Sequence, residues 1–309
     1  LDAGNPCLVK GRVLRVTGLQ CEIEADGRDW TCQLRGRLKR GLRQASSPVV
    51  AGDWVDFSTS SADGSDGVVE QVDPRRSKIS RASAGAKPYE QIFAANVDQC
   101  VVVASARQPA LRPGFIDRAI VATLLGNAEP VVCINKIDLA QDAGSCDAIV
   151  TLYRDLGYRV VLTSAATTEG IDALMNLLVG KTSAFMGQSG VGKSSILNCL
   201  EPGLGIRTNG LMTKHDRGRH TTTATQLHRL EEGRIYVADT PGIKHLHPFG
   251  LEPADVVRYF AEMAPLADDC QYRDCLHLTE PGCAVQAACE GGKIDVLRYD
   301  SYRRFVEDL

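Results

Sequence analysis

The sequence predicts an α/β fold, a parallel sheet with helices between its strands. An all-β barrel of the OB type precedes it and a mostly helical segment follows it. Three observations predict this. Apolar strands alternate with helical patterns between residues 97 and 248. Short strands of alternating apolar and polar residues fill the first 72 positions. Beyond residue 248, two helical stretches flank a run rich in cysteine and histidine.

The barrel comes first. "GRVLRVTG", "CEIEAD", "DWTCQLRG", "DWVDFSTS" and "GVVEQV" alternate in polarity, and turns such as "ADGRD" and "SADGSDG" separate them. Five short strands suit a small OB-type barrel, a class that binds nucleic acid through a basic, curved face. Net charge is −3, which excludes a polycation, yet residues 1–81 carry 13 Lys/Arg against 11 Asp/Glu. Within 28–43 there are six basic residues and one acidic. A local run of that kind can bind a phosphate backbone on an acidic protein. Residues 1–72 are therefore expected to bind RNA. Residues 73–96 are polar and basic with little periodicity, and read as a linker or exposed arm.

From residue 97, "VDQCVVVAS", "EPVVCINKID", "YRVVLTSA" and "TSAFMGQSG" are apolar strands that each run into a turn. Buried strands alternating with helices make a parallel sheet. "TATQLHRL" and "RIYVAD", around "EEG", add a hairpin with one antiparallel edge strand.

"GQSGVGKS" (187–194) fits the phosphate-loop pattern, with a strand before it and a helix after it. Gly187, Gly190 and Gly192 let backbone N–H groups turn toward phosphate oxygens, and Gln188, Ser189, Val191 and Ser195 complete the segment. Lys193 supplies a cation, and the Ser194 hydroxyl can ligate Mg²⁺. "NKID" (135–138) ends an apolar strand, where ligands bind in such sheets. A buried Asp138 carboxylate can accept from the N1–H and exocyclic amine of guanine, which adenine does not offer. Asn135 can reach the O6/N7 side, and the Lys136 stem can cover the ring. "TSA" (163–165) ends the next strand. There the backbone N–H of Ala165, beside Ser164, can donate to guanine O6.

"DTPG" (239–242) places Asp239 to hold Mg²⁺ through water and the Gly242 N–H to meet the γ-phosphate. "GRHTTT" (218–223) offers Thr221 and Thr222 for the Mg²⁺ shell, and spacing does not choose between them. Position 243 is Ile, where many GTPases carry a water-orienting Gln, so His220 is the candidate that takes over that task. Lys193, His220 and Thr222 make up the candidate catalytic set. The base motif precedes the phosphate loop, the reverse of the usual order, which implies a circular permutation of the α/β domain.

"CQYRDCLHLTEPGC" brings Cys270, Cys275, His277 and Cys283 within 14 residues. Three thiolates and an imidazole form a tetrahedral, closed Zn²⁺ set, structural rather than catalytic. Cys289 is spare. The other cysteines of the 11 are scattered, and Cys100, Cys133 and Cys199 read as buried apolar positions. That usage excludes a secreted disulfide framework and fits a reducing cytosol. No apolar run reaches the length of a membrane span, and nothing resembles a signal peptide. Because the chain starts at Leu1, its natural first residues are expected to be missing.

Taken in order, "NKID", "TSA", "GQSGVGKSS", "GRHTTT", "DTPG" and "C…RDCLHLTEPGCAV" resemble the ribosome-small-subunit-dependent GTPase A family (RsgA) over nearly the whole chain. The resemblance implies an OB domain (1–72), a linker (73–96), a circularly permuted GTPase domain (97–248) and a helical zinc domain (249–309). It implies GTP hydrolysis on the small ribosomal subunit, contact with its rRNA, and Mg²⁺ and structural Zn²⁺ as cofactors. It places the family's switch histidine at His220 and its zinc ligands at Cys270, Cys275, His277 and Cys283. A cytoplasmic monomer with no membrane partner is expected. The competing expectations are a GTPase acting on a non-ribosomal partner, and a zinc-stapled RNA-binding module that only senses GTP.

Overall fold

The structure, a computed structural model, describes residues 8–39, 47–59, 65–85, 87–140, 146–206, 225–240 and 246–309. The alternating segments form β1 (Leu8–Thr17), β2 (Gln20–Ala25), β3 (Arg28–Leu34), β4 (Trp54–Thr59) and β5 (Asp66–Val72). β1 pairs with β2 and β4, β2 with β3, β3 with β5 in parallel, and β5 with β4, so the ring closes. Ile23, Trp30, Phe57 and Val69 fill the interior. Gly11 lies where β1 presses on that core: a Cβ there would stand 2.4 Å from Ile23 Cγ2.

Residues 73–96 are not an exposed arm. They hold a hairpin of β6 (Lys78–Ala82) and β7 (Glu90–Ala95). Ile79, Phe93 and Ala94 pack into the core of the α/β domain. These few apolar residues are split by a polar turn, so they produce no periodic signal long enough to read.

The α/β sheet contains β8 (Gln99–Ser105), β9 (Glu129–Asn135), β10 (Arg159–Leu162), β11 (Thr182–Gly187), β12 (Gln226–Leu230) and β13 (Ile235–Asp239). Their spatial order is β10-β9-β8-β11-β13-β12. The first five in that order run parallel, and β12 is antiparallel to β13. β8 and β9 are entirely apolar through their middles and buried on both faces, as a parallel sheet requires. Helices α1 (Pro113–Leu125), α2 (Asp147–Asp155), α3 (Ile171–Leu178) and α4 (Lys193–Leu200) cover it. Pro113 opens α1, where a missing N–H costs nothing.

β12 is not a free edge. Arg15 of β1 bridges Gln226, so barrel and sheet form one ribbon of eleven strands. Side chains reinforce the seam. Arg12 donates to Thr182 Oγ1 at 2.8 Å and lies 4.5 Å from the Tyr236 ring centre. Glu24 accepts from Arg229 at 3.1 Å and from the Tyr236 hydroxyl at 2.8 Å.

The C-terminal segment holds a 3₁₀ turn at Pro253–Tyr259 and helices α5 (Ala264–Ala267), α6 (Ala284–Glu290) and α7 (Val296–Glu307). Asp295 caps α7 by accepting from the Leu297 N–H at 2.8 Å. Val256, Phe260, Tyr302 and Phe305 form the core there, and Val121 of α1 joins it. Among the described residues, no helix is long and apolar enough to cross a membrane.

Candidate nucleotide site and metal cluster

β11 ends at Gly187, the turn 188–192 follows, and α4 begins at Lys193. Gly190 and Gly192 have φ of 83° and 98°, in the region that favours glycine. Gly192 has a second reason: a Cβ there would lie 2.3 Å from Asn135 Nδ2. Lys193 is 8% exposed, and its ammonium donates to the Gly187 carbonyl at 2.9 Å. Ser194 and Ser195 sit half-buried in the first turn of α4.

β9 ends at Asn135, two strands from β11 with β8 between them. Both turns leave the same ends of parallel strands, so they meet in space although chain order separates them. Asn135 is 1% exposed, and it joins three segments. Its Nδ2 donates to the Val191 carbonyl at 2.9 Å. Its Oδ1 accepts from Thr163 Oγ1 and from the Ala165 N–H, each at 3.2 Å. The Asn135 amide thus ties the Ala165 N–H and Thr163 of one turn to the phosphate loop. Asn135 holds the walls of the site.

Lys136, with φ 62°, reaches over the phosphate loop to the Gly190 carbonyl at 2.6 Å. It also donates to the Gln108 carbonyl. Asp138 is exposed rather than buried. The hydroxyl of buried Ser164 donates to its Oδ1 at 2.5 Å, which aims the carboxylate. Thr163 was quoted as the first residue of "TSA" without a role, and Gln108 was not apparent from the sequence; it sits in a proline-flanked loop after β8, the strand between the two motifs.

Asp239 ends β13 opposite Phe185 of β11. Its Oδ1 is buried and has no hydrogen-bond partner among the described residues. Burial pushes its carboxyl above the usual range, with Lys193 opposing. Burial likewise pushes the Lys193 ammonium below its ordinary value, with Asp239 opposing. Buried Lys193 and half-buried Asp239 thus bring opposite charges to the same end of the sheet. His220, Thr221, Thr222 and Gly242 lie outside the described residues.

Cys270, Cys275, His277 and Cys283 place their donor atoms within 4.8 Å of one another and could hold a metal ion. His277 Nδ1 is 3.4 Å from the sulfurs of both Cys270 and Cys283, and those sulfurs are 3.9 Å apart. Glu280 fastens the loop by accepting from the N–H groups of Leu276 and Leu278, both at 2.8 Å. Cys289 lies outside the cluster.

Residues 72–248 match a family model described as RsgA GTPase. The small ribosomal subunit biogenesis GTPase RsgA of Moorella thermoacetica is 39% identical, over 97% of this chain and 97% of its own length. Its counterpart in Sodalis glossinidius is 38% identical over 97% of this chain and 86% of its own. Among solved structures, YjeQ from Thermotoga maritima aligns with a TM-score of 0.78 at 33% identity, covering 98% of this chain and 99% of that one. YloQ, described as a circularly permuted GTPase, aligns at 0.72 and 28%, covering 98% and 95%.

Proposed function

The chain belongs to the RsgA GTPase family, and on that premise we propose that it hydrolyses GTP to GDP and phosphate on the small ribosomal subunit during late maturation. The observation that carries this is the Asn135 amide bonded to the Val191 carbonyl, which fuses a base-reading turn to a phosphate loop. A site so built takes a guanine at one end and a triphosphate at the other.

Asp138 accepts from the two guanine donors, and Ser164 fixes its angle. On binding, Lys193 turns from the Gly187 carbonyl to the outer phosphates, joined by N–H groups of residues 188–195 and of Gly242. Mg²⁺ would be held by Ser194, Asp239 and Thr222 or its neighbour Thr221, and it neutralises charge on the β- and γ-phosphates. The orphaned, buried Asp239 oxygen fits such a cation. With Ile243 where a Gln could stand, His220 orients the attacking water. Turnover is slow alone and rises on the small subunit.

The cluster takes Zn²⁺. Tetrahedral zinc with Zn–S of about 2.3 Å and Zn–N of about 2.0–2.1 Å implies S···S of about 3.8 Å and N···S of about 3.6 Å. The 3.9 and 3.4 Å separations support that ion. Its role is structural: four ligands from one loop leave no open position. The barrel contributes rRNA contact through the basic stretch 28–43, and the protein works as a cytoplasmic monomer.

Co-sedimentation tests the partner. The protein should pellet with small subunits in a non-hydrolysable GTP analogue and less so in GDP. Equal binding to large subunits would refute the assignment.

A further inference from the structure

The last helix of the chain is fastened to the first helix of the α/β domain by buried charge. Arg298 of α7 is 2% exposed and Asp117 of α1 is 0% exposed, and the guanidinium donates to the carboxylate. The same guanidinium forks onto Glu262 at 2.7 and 3.2 Å and lies 4.5 Å from the Phe260 ring centre. Asp117 also accepts from the Tyr153 hydroxyl of α2 at 2.6 Å. One residue on, Arg118 donates to the Arg304 carbonyl at 3.0 Å and pairs with Asp308. A buried pair is poor evidence of stability, since apolar replacements serve as well. It does fix register, because sliding α7 along α1 would strand a buried carboxylate.

Each helix of this pair connects to one of the two sites, α7 directly and α1 through the loop before it. From α7, the Tyr299 and Tyr302 hydroxyls donate to the carbonyls of His277 and Leu276 at 2.8 and 2.9 Å, inside the metal loop. At the start of α1, the Pro113 carbonyl lies 3.3 Å from the Tyr153 hydroxyl. The loop leading into α1 carries the Gln108 carbonyl that accepts from Lys136, the residue that spans to Gly190 of the phosphate loop. Neither Arg298 nor Asp117 is among the residues that line the nucleotide site. Both set where α1, and the loop before it, can sit.

We infer that Arg298 is a positioning residue for the guanine-nucleotide site, and that the seating of α7 on α1 sets how long the site retains nucleotide. This rests on the reading of residues 135–138 and 187–195 as a nucleotide site. Linkage makes the effect reciprocal: a partner that draws α7 away loosens nucleotide, and bound nucleotide tightens α7.

The test uses the full chain and a fluorescent GDP derivative. The triple variant Arg298→Met/Asp117→Asn/Glu262→Gln removes the guanidinium and the charge of both carboxylates that it meets, so no charge is left stranded. It should release the nucleotide at least about fivefold faster than the unaltered protein, the lower end of ordinary coupling between sites, while keeping its metal. Arg298→Lys should fall between. An unchanged release rate with a lowered melting temperature would make the network merely structural and overturn the inference. A second measurement needs no variant. In the unaltered protein, saturating GDP should slow amide exchange across residues 298–306, and an unchanged α7 contradicts the coupling. If the unaltered protein retains no guanine nucleotide at all, the site reading falls and takes this inference with it.

Discussion

The side-chain amide of Asn135 donates to the main-chain carbonyl of Val191 at 2.9 Å, across 56 residues of sequence. The two halves of the nucleotide site are thus one hydrogen-bonded unit. Asn135→Ala would orphan the Val191 carbonyl in a buried setting and the Ala165 N–H in a part-buried one. Leaving such groups unpaired costs about 1–3 kcal/mol. GDP affinity measured by calorimetry should fall about ten- to a hundredfold, and an unchanged affinity would remove Asn135 from the account.

Asp138→Asn keeps the shape of the turn and replaces a carboxylate acceptor with a neutral amide. Hydrogen bonds to a charged group contribute about 1.5–3 kcal/mol. The preference for GTP over ATP in competition binding should drop by about tenfold or more. Retained selectivity would mean that another residue reads the base.

Lys193→Ala and His220→Ala should separate binding from chemistry. The first removes the cation that meets the outer phosphates, so nucleotide binding or turnover should be lost. The second should lower kcat by about a hundredfold, the scale of a single acid–base or water-orienting group, with little change in KM. A His220 variant that raises KM at constant kcat would assign that histidine to substrate or RNA contact instead.

Cys283→Ser breaks the metal cluster and also removes the sulfur that accepts from the Gln286 N–H at 3.4 Å at the start of α6. Zinc content should fall from one per chain toward zero, and the C-terminal segment should melt at a lower temperature. Cys289→Ser should keep one zinc, since Cys289 lies outside the four-residue group. Zinc loss from the Cys289 variant would redraw the ligand set.

Much of this was legible in the sequence because its chemistry is local. The phosphate loop, the base turn and the metal ligands are short motifs whose spacing alone restricts their use. The barrel and parallel sheet announce themselves through period-two alternation and through uniformly apolar strands. Other features depend on distant partners. Residues 73–96 look like a linker because Ile79 and Phe93 find their core in other elements. The bridge between Arg15 and Gln226 depends on a register that no single segment encodes. Arg298 and Asp117 lie 181 residues apart, and only the fold buries each against the other. Asp138 was expected to be buried, yet it stands exposed in a short turn after β9.

The most direct test of the central claim is the rate of phosphate release from GTP, measured with the protein alone, with small ribosomal subunits and with large ones. The account predicts slow release alone, a rise of at least about tenfold with small subunits, well below the span an activating partner can supply to a GTPase, and no rise with large ones. Equal rates under all three conditions would contradict it.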